Sequence, residues 1–183
     1  MTEQDEISLI TRVLDGEIDA FSGLVTQYQR PLIHMLYSLL QDHKRLAEEI
    51  AQDVFLEAFQ RLQSFDPARS RFKSWLFMIA RCRGINALKK KRPVLVDHIP
   101  ETEDQKSATV SSSIGRDEIK FLDQALHSLP ADQRRTFILA VIEEVPHAEV
   151  AQIEGISIGT VKSRVNRARN YLKTTLATLR NET

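Results

Sequence analysis

The sequence predicts an all-α protein built from two small helical domains joined by a flexible linker. Three observations carry this reading. Apolar residues recur at spacings of three and four along nearly the whole chain, the mark of amphipathic helices. Sustained period-two alternation and hairpin-turn signals are missing. Residues 94–115 then interrupt the helical pattern with an acidic, Ser/Thr-rich run.

Taken in order, "AFSGLVTQYQRPLIHMLYSLL" reads as one or two helices, with Pro31 marking either a kink or a fresh helix start. In "RLAEEIAQDVFLEAFQRLQSF", Ala47, Ala51, Phe55, Ala58 and Leu62 recur at spacings of 4, 4, 3 and 4, and Leu46, Ile50 and Val54 widen the stripe. "SRFKSWLFMIARCRGINALKKKRP" reads as another helix, opened near Ser70 and stopped before Pro93. The expected boundaries are a first domain over 1–93, a linker over 94–115 and a second domain over 116–183. In the second, Ile119, Leu122, Leu126 and Leu129 form a short stripe ahead of "PADQRRTFILAVIEEV" and "PHAEVAQIEG".

Composition narrows the function. With 25 basic and 25 acidic residues the 183-residue chain is formally neutral, yet its charge is segregated. Residues 1–66 carry a net −7 and residues 67–93 a net +9; residues 94–115 carry −3, residues 116–154 −4 and residues 155–183 +5. Two acid-to-base gradients point to two modules, each with a cationic end suited to a polyanion. The single cysteine, Cys82, excludes an internal disulfide and CxxC chemistry. The acidic start "MTEQDEISLI" lacks a signal-peptide core, and eighteen apolar residues never run together. A cytoplasmic protein without membrane insertion is expected. Five scattered histidines (His34, His43, His98, His127, His147) show no ligand spacing, and no GxxxxGK[ST], GxSxG or HExxH occurs. Neither an enzyme nor a bound metal or cofactor is expected.

"AEVAQIEGISIGTVKSRVNRARNYLK" has the layout of a helix-turn-helix. Gly155 suits the left-handed residue that closes a helix, and Ser157 can cap the next by accepting from the N–H of residue 159 or 160. In that second helix Val161, Val165, Ala168, Leu172 and Leu176 follow 4, 3, 4, 4 and face the core, while Lys162, Asn166, Arg169 and Lys173 follow 4, 3, 4 on an adjacent face. A cationic helix beyond a tight turn fits the major groove, where Arg can pair bidentately with guanine for about 1–3 kcal/mol of discrimination.

These two blocks together resemble the extracytoplasmic-function sigma factors of bacterial RNA polymerase, in order, spacing and intervening linker. "AEEIAQDVFLEAFQRLQSFDPARSRFKSWLFMIARCRGINALKKK" is similar to their second sigma domain, and "LPADQRRTFIL…AEVAQIEGISIGTVKSRVNRARNYL" to their fourth. The resemblance implies binding to core RNA polymerase, reading of a −35 element as duplex DNA and melting of a −10 element, with no catalysis in this chain. It assigns Gln52, Asp53 and Phe55 to the polymerase contact, Phe55 being equally readable as a core aromatic. It assigns Phe65, Arg69, Ser70, Phe72, Lys73, Trp75, Arg81, Arg83 and Asn86 to capture of the melted −10 strand. Such capture needs aromatic stacking beside positive charge; for Trp75, packing against the domain is the favoured reading. It assigns Thr160, Lys162, Ser163, Arg164, Asn166, Arg167 and Arg169 to the −35 helix, with Ser163, Asn166 and Arg167 at base edges and Lys162, Arg164 and Arg169 on phosphates.

The chain departs from the family's pattern at Met78 and Cys82, where Arg and Asn are frequent, and at Pro146 and His147, where a capping Ser and an aromatic are frequent. Loss of that cap is expected to weaken the helix by about 1 kcal/mol. The resemblance further implies control by an anti-sigma factor that clamps the two domains closed and hides both basic faces; a monomer is the default when free. A stand-alone helix-turn-helix regulator is the alternative, but it leaves the Phe/Trp/Arg block without a purpose.

Overall fold

In the computed structural model, which describes residues 2–40, 43–90 and 124–181, the elements are helical and no strand occurs among the described residues. Helix α1 spans Glu3–Leu14, a 3-10 turn Ile18–Ala20, α2 Phe21–Leu39, α3 Lys44–Gln60, a second 3-10 turn Leu62–Ser64, and α4 Phe72–Lys90. After a helical stretch at 124–127, α5 spans Ala131–Phe137 and continues into a π-helical segment Ile138–Ile142. Helices α6 (His147–Glu154) and α7 (Ile158–Asn181) complete the chain. The linker expected at 94–115 lies outside the described residues, as do Ile119 and Leu122.

Local chemistry starts these helices where it should. Thr2 and Asp5 form a capping box on α1: Thr2 Oγ1 accepts from the Asp5 N–H at 3.2 Å and the Thr2 N–H donates to Asp5 Oδ2 at 2.8 Å. Pro31 proves to sit inside a single α2. A proline there removes one backbone bond, but Leu24, Tyr28, Leu32, Met35, Leu36 and Leu39 are buried on both sides of it and keep the helix whole. Helix α3 buries the whole stripe Ala47, Ala51, Phe55 and Ala58, with Leu62 following in the turn. Phe21 meets Phe59 edge-on at 5.2 Å, which ties α2 to α3. Gly84 allows α4 to approach α2 closely, since a Cβ there would lie 2.5 Å from Leu39 Cδ2.

Helix α1 is fastened by one buried carboxylate. Glu6 accepts from the Phe72 N–H at 3.1 Å, the first helical residue of α4, and from the Tyr28 hydroxyl of α2. A carboxylate at a helix N-terminus answers an otherwise orphaned donor and the positive end of the dipole. Burial, reinforced by the hydrogen bond to Glu6, pushes the Tyr28 phenol upward, so it remains a donor at neutral pH.

The C-terminal helices do not stand apart from the N-terminal ones. Leu139, Val145, Val150, Ala151, Ile153, Val161 and Val165 belong to the same apolar cluster as the core of α1–α4. Helix α4 packs on α6, and α2 on α5. A second, smaller cluster of Ala125, Leu129, Phe137, Ala168 and Leu172 holds α7 to α5.

Replacing Glu6 by Ala strands the Phe72 amide and the Tyr28 hydroxyl. The expected loss is about 1–3 kcal/mol of unfolding free energy, with a smaller loss for Glu6→Gln, which keeps an acceptor. Urea unfolding followed by circular dichroism measures both.

Candidate nucleic-acid and polymerase interfaces

The C-terminal turn is assembled by backbone geometry. Gly155 closes α6 at φ 65°, ψ 39°. The Ile156 N–H donates to the Ala151 carbonyl at 3.0 Å and the Gly155 N–H to that of Gln152 at 3.3 Å, the pattern of a Schellman closure. Ser157 then caps α7, accepting from the Thr160 N–H at 3.1 Å. The start of α6 has Pro146 and no side-chain cap.

This arrangement fixes the rotation of α7. Val161, Val165, Ala168 and Leu172 are buried, and Lys162, Ser163, Asn166, Arg167 and Arg169 are exposed together. Those five form an open cationic and amide-bearing face able to meet a phosphate-lined groove. Thr160 is half-buried and its hydroxyl lies 2.9 Å from that of Ser157. Arg164 is half-buried against α5, 2.7 Å from Asp132 Oδ2. These two are placed to orient the helix.

The second candidate face is split four ways. Phe65, Phe72 and Trp75 form a ring cluster with centroids 5.4–5.7 Å apart, Phe72 fully buried and the other two half-exposed. The loop before it is shaped by Asp66, whose Oδ1 accepts from the Ala68 N–H at 2.9 Å and whose Oδ2 lies 3.2 Å from the Arg69 Nε. Arg69 and Asn86 are exposed and Ser70 is half-buried. Arg83 bonds Glu57 of α3 at 2.6 Å, and Arg61 bonds the other oxygen of that carboxylate at 2.8 Å. The Arg83 hydrogen bond, with help from Arg61, holds Glu57 below the usual carboxylate range.

Lys73 and Arg81 face the C-terminal helices instead. Lys73 Nζ donates to the Glu143 carbonyl at 2.6 Å and lies 2.7 Å from Glu143 Oε2. Arg81 Nη2 donates to the Glu154 carbonyl at 2.7 Å. Their side chains are 23% and 27% exposed. The structure thus covers Lys73 and Arg81 and leaves the α7 face open. In the chain alone, α7 packs through its apolar stripe and its cations stay exposed; the form expected under an anti-sigma clamp is a different state.

On α3, Gln52 and Asp53 are exposed, whereas Phe55 is buried and meets Phe21 edge-on at 6.5 Å. Leu56, one turn from Gln52 and Asp53, is 57% exposed. Sequence reasoning passed over it, though its position off the apolar stripe was visible. Arg71, exposed between two assigned residues, was also passed over. Glu143 and Glu154 gave no local signal at all. Among the described residues no His, Cys, Asp or Glu grouping could hold a metal ion. No described helix is long and apolar enough to cross a membrane. Cys82 is exposed.

Comparison with known proteins finds relatives for both halves of the chain. Residues 24–94 match the model of sigma-70 region 2, and residues 122–172 that of sigma-70 region 4. The chain is 31% identical to the ECF RNA polymerase sigma factor SigW of Bacillus subtilis over 184 residues, covering 93% of this chain and 96% of that one. It is 32% identical to the ECF RNA polymerase sigma-E factor of Escherichia coli K12, covering 94% and 95%. Among solved structures, the sigma factor RpoE in complex with the anti-sigma factor NepR from Bartonella quintana superposes with a TM-score of 0.63. It is 28% identical and covers 86% of this chain and 96% of that one.

The ion pair joining α3 and α4 has a pH signature. Because the folded carboxylate of Glu57 sits below its ordinary 4.5, its stabilisation is complete above that value and is lost as pH falls through the folded one. Arg83→Ala should return Glu57 upward toward 4.5, as measured by carboxyl carbon-13 NMR titration.

Proposed function

The chain belongs to the extracytoplasmic-function sigma factors of bacterial RNA polymerase, and from that premise we propose that it binds core polymerase in the cytoplasm, recognises −35 and −10 promoter elements, melts the −10 region and directs initiation. It acts as an initiation factor and performs no catalysis itself. An anti-sigma factor holds it inactive, a reading supported by the Bartonella relative's complex with one. The observation that carries the proposal is the conjunction of both sigma regions in one chain with an exposed Lys/Ser/Asn/Arg face behind a capped helix-turn-helix. The stand-alone regulator finds no comparable support, since the similarity to SigW covers 93% of the chain.

The two modules divide the work. The first, over 1–93, presents Gln52, Asp53 and the apolar Leu56 to polymerase, with Phe55 bracing α3 from inside. Phe65 and Trp75, half-exposed over buried Phe72, give the displaced strand a stacking platform worth about 1–3 kcal/mol per base. Arg69, Ser70, Lys73, Arg81, Arg83 and Asn86 supply charge and hydrogen bonds around it. The second module, over 116–183, places Ser163, Asn166 and Arg167 at base edges of the −35 duplex. Lys162 and Arg169 reach phosphates, and Arg164 steadies α7 through Asp132.

Purified full-length protein added to bacterial core polymerase should start transcripts at discrete sites on fragments of the source genome. Arg167→Ala should lower initiation at those sites by about tenfold or more, the equivalent of one lost bidentate contact. Lys162→Ala should weaken duplex binding across sequences and reduce the salt slope by about 1. DNA binding without any association with core would overturn the proposal in favour of the stand-alone regulator.

A further inference from the structure

We propose that Glu143 and Glu154 form an acidic docking edge for the chain's own strand-capture face, competing at Lys73 and Arg81 with the phosphates of the melted strand and so holding the free protein closed. This rests on the reading that Lys73 and Arg81 meet DNA. It goes beyond that reading because no partner protein is needed for the closure.

The geometry is that of a built contact. Lys73 is gripped twice by one residue, through the Glu143 carbonyl at 2.6 Å and the carboxylate at 2.7 Å. Arg81 lies across the end of α6, donating to the Glu154 carbonyl at 2.7 Å, with its Nε 4.0 Å from Glu154 Oε1. That carbonyl belongs to the negative pole of the helix. Glu154 is itself pre-positioned: Arg135 of α5 donates to both of its oxygens at 2.8 Å, and its side chain is 1% exposed. A carboxylate that deeply buried has to be paired, and Arg135 keeps it paired and oriented whether or not Arg81 is present.

The backbone at Glu143 is unusual in the same place. The π-helical segment ends at Ile142 and is capped by Glu143, whose N–H bonds the Ile138 carbonyl at 2.8 Å, and Glu144 follows at φ 53°. Left-handed glutamate is uncommon, and π-turns and strained residues concentrate at functional sites. Here they aim both the carbonyl and the carboxylate of Glu143 at Lys73.

Chemically the edge offers what a nucleic-acid backbone offers, oxygen acceptors carrying negative charge. Residues 67–93 have nine cations and no acid of their own, so Lys73 and Arg81 need an anionic partner from outside that segment. In the free chain Glu143 and Glu154 supply it; in the promoter complex the strand does. Beneath the ion pairs Leu139, Val145, Val150, Ala151 and Ile153 join the common apolar cluster. Apolar burial and these polar contacts together hold the closed form, and the ion pairs also set register and exclude polyanions.

The test uses the full chain, a fluorescein-labelled mixed-sequence single-stranded DNA followed by anisotropy, and small-angle X-ray scattering, all without polymerase. Glu143→Gln should raise affinity for the single strand about fivefold or more, within the usual range of coupling between two states, and should increase the radius of gyration. Glu154→Gln should act in the same direction. If it loses helicity by stranding Arg135, the charge swap Lys73→Glu with Glu143→Lys decides, since it should restore the wild-type radius that Glu143→Lys alone expands. Unchanged DNA affinity in Glu143→Gln overturns the competition even if the radius grows, and an unchanged radius overturns the closure. Core-dependent initiation by the wild type separates the two readings. Initiation without any effect of Glu143→Gln sinks the docking edge alone, whereas release by Glu143→Gln without initiation sinks the sigma reading alone.

Discussion

Helix α4 has to be two things at once, and the rest of the molecule is arranged around that conflict. Phe72, Leu76, Phe77, Ile79, Ala80 and Gly84 bury it, yet the segment from 67 to 93 holds nine cations and no acid. A buried helix with uncompensated charge is costly. The compensation comes from carboxylates on three separate parts of the fold. Glu6 of α1 meets the N-terminus of α4, Glu57 of α3 takes Arg83, and Glu143 and Glu154 from the C-terminal half take Lys73 and Arg81. Each of these contacts also joins two elements, so the charge problem of one helix becomes the tie pattern of the molecule.

The C-terminal helix α7 is organised on the opposite principle. Helix α7 separates its functions by face, with Val161, Val165, Ala168 and Leu172 inside and Lys162, Ser163, Asn166, Arg167 and Arg169 outside. Its start is set by Gly155 and Ser157 without help from distant residues. A duplex presents a regular groove, and a rigid, pre-aimed helix suits it. On the reading proposed above, the face that would take up a single strand is the one kept covered in the free chain. Non-specific association with single strands would otherwise follow from so much positive charge.

The family assignment and the geometry meet at this point. The chain belongs to the extracytoplasmic-function sigma factors, and in it α4, from the region 2 match, packs on α6, from the region 4 match. Arg81 stands at that contact, donating to the Glu154 carbonyl at the end of α6, just before the turn that leads into α7.

What the sequence by itself determined is whatever depends on neighbours three or four positions apart. The all-α class, the α3 stripe from Ala47 to Ala58, the left-handed Gly155, the Ser157 cap and the exposed set on α7 all followed from local periodicity and capping, and the structure carries each of them. Pro31 was ambiguous for the same reason, since local rules permit a break and only packing on both sides of it removes the choice. What tertiary structure alone decided is which charge meets which. Glu6 meets Phe72 across 66 positions, Lys73 meets Glu143 across 70 and Arg81 meets Glu154 across 73. Nothing in a helical period connects residues that far apart. Their partnership is created when apolar faces pack, because burial removes the water that would otherwise have satisfied each charge alone.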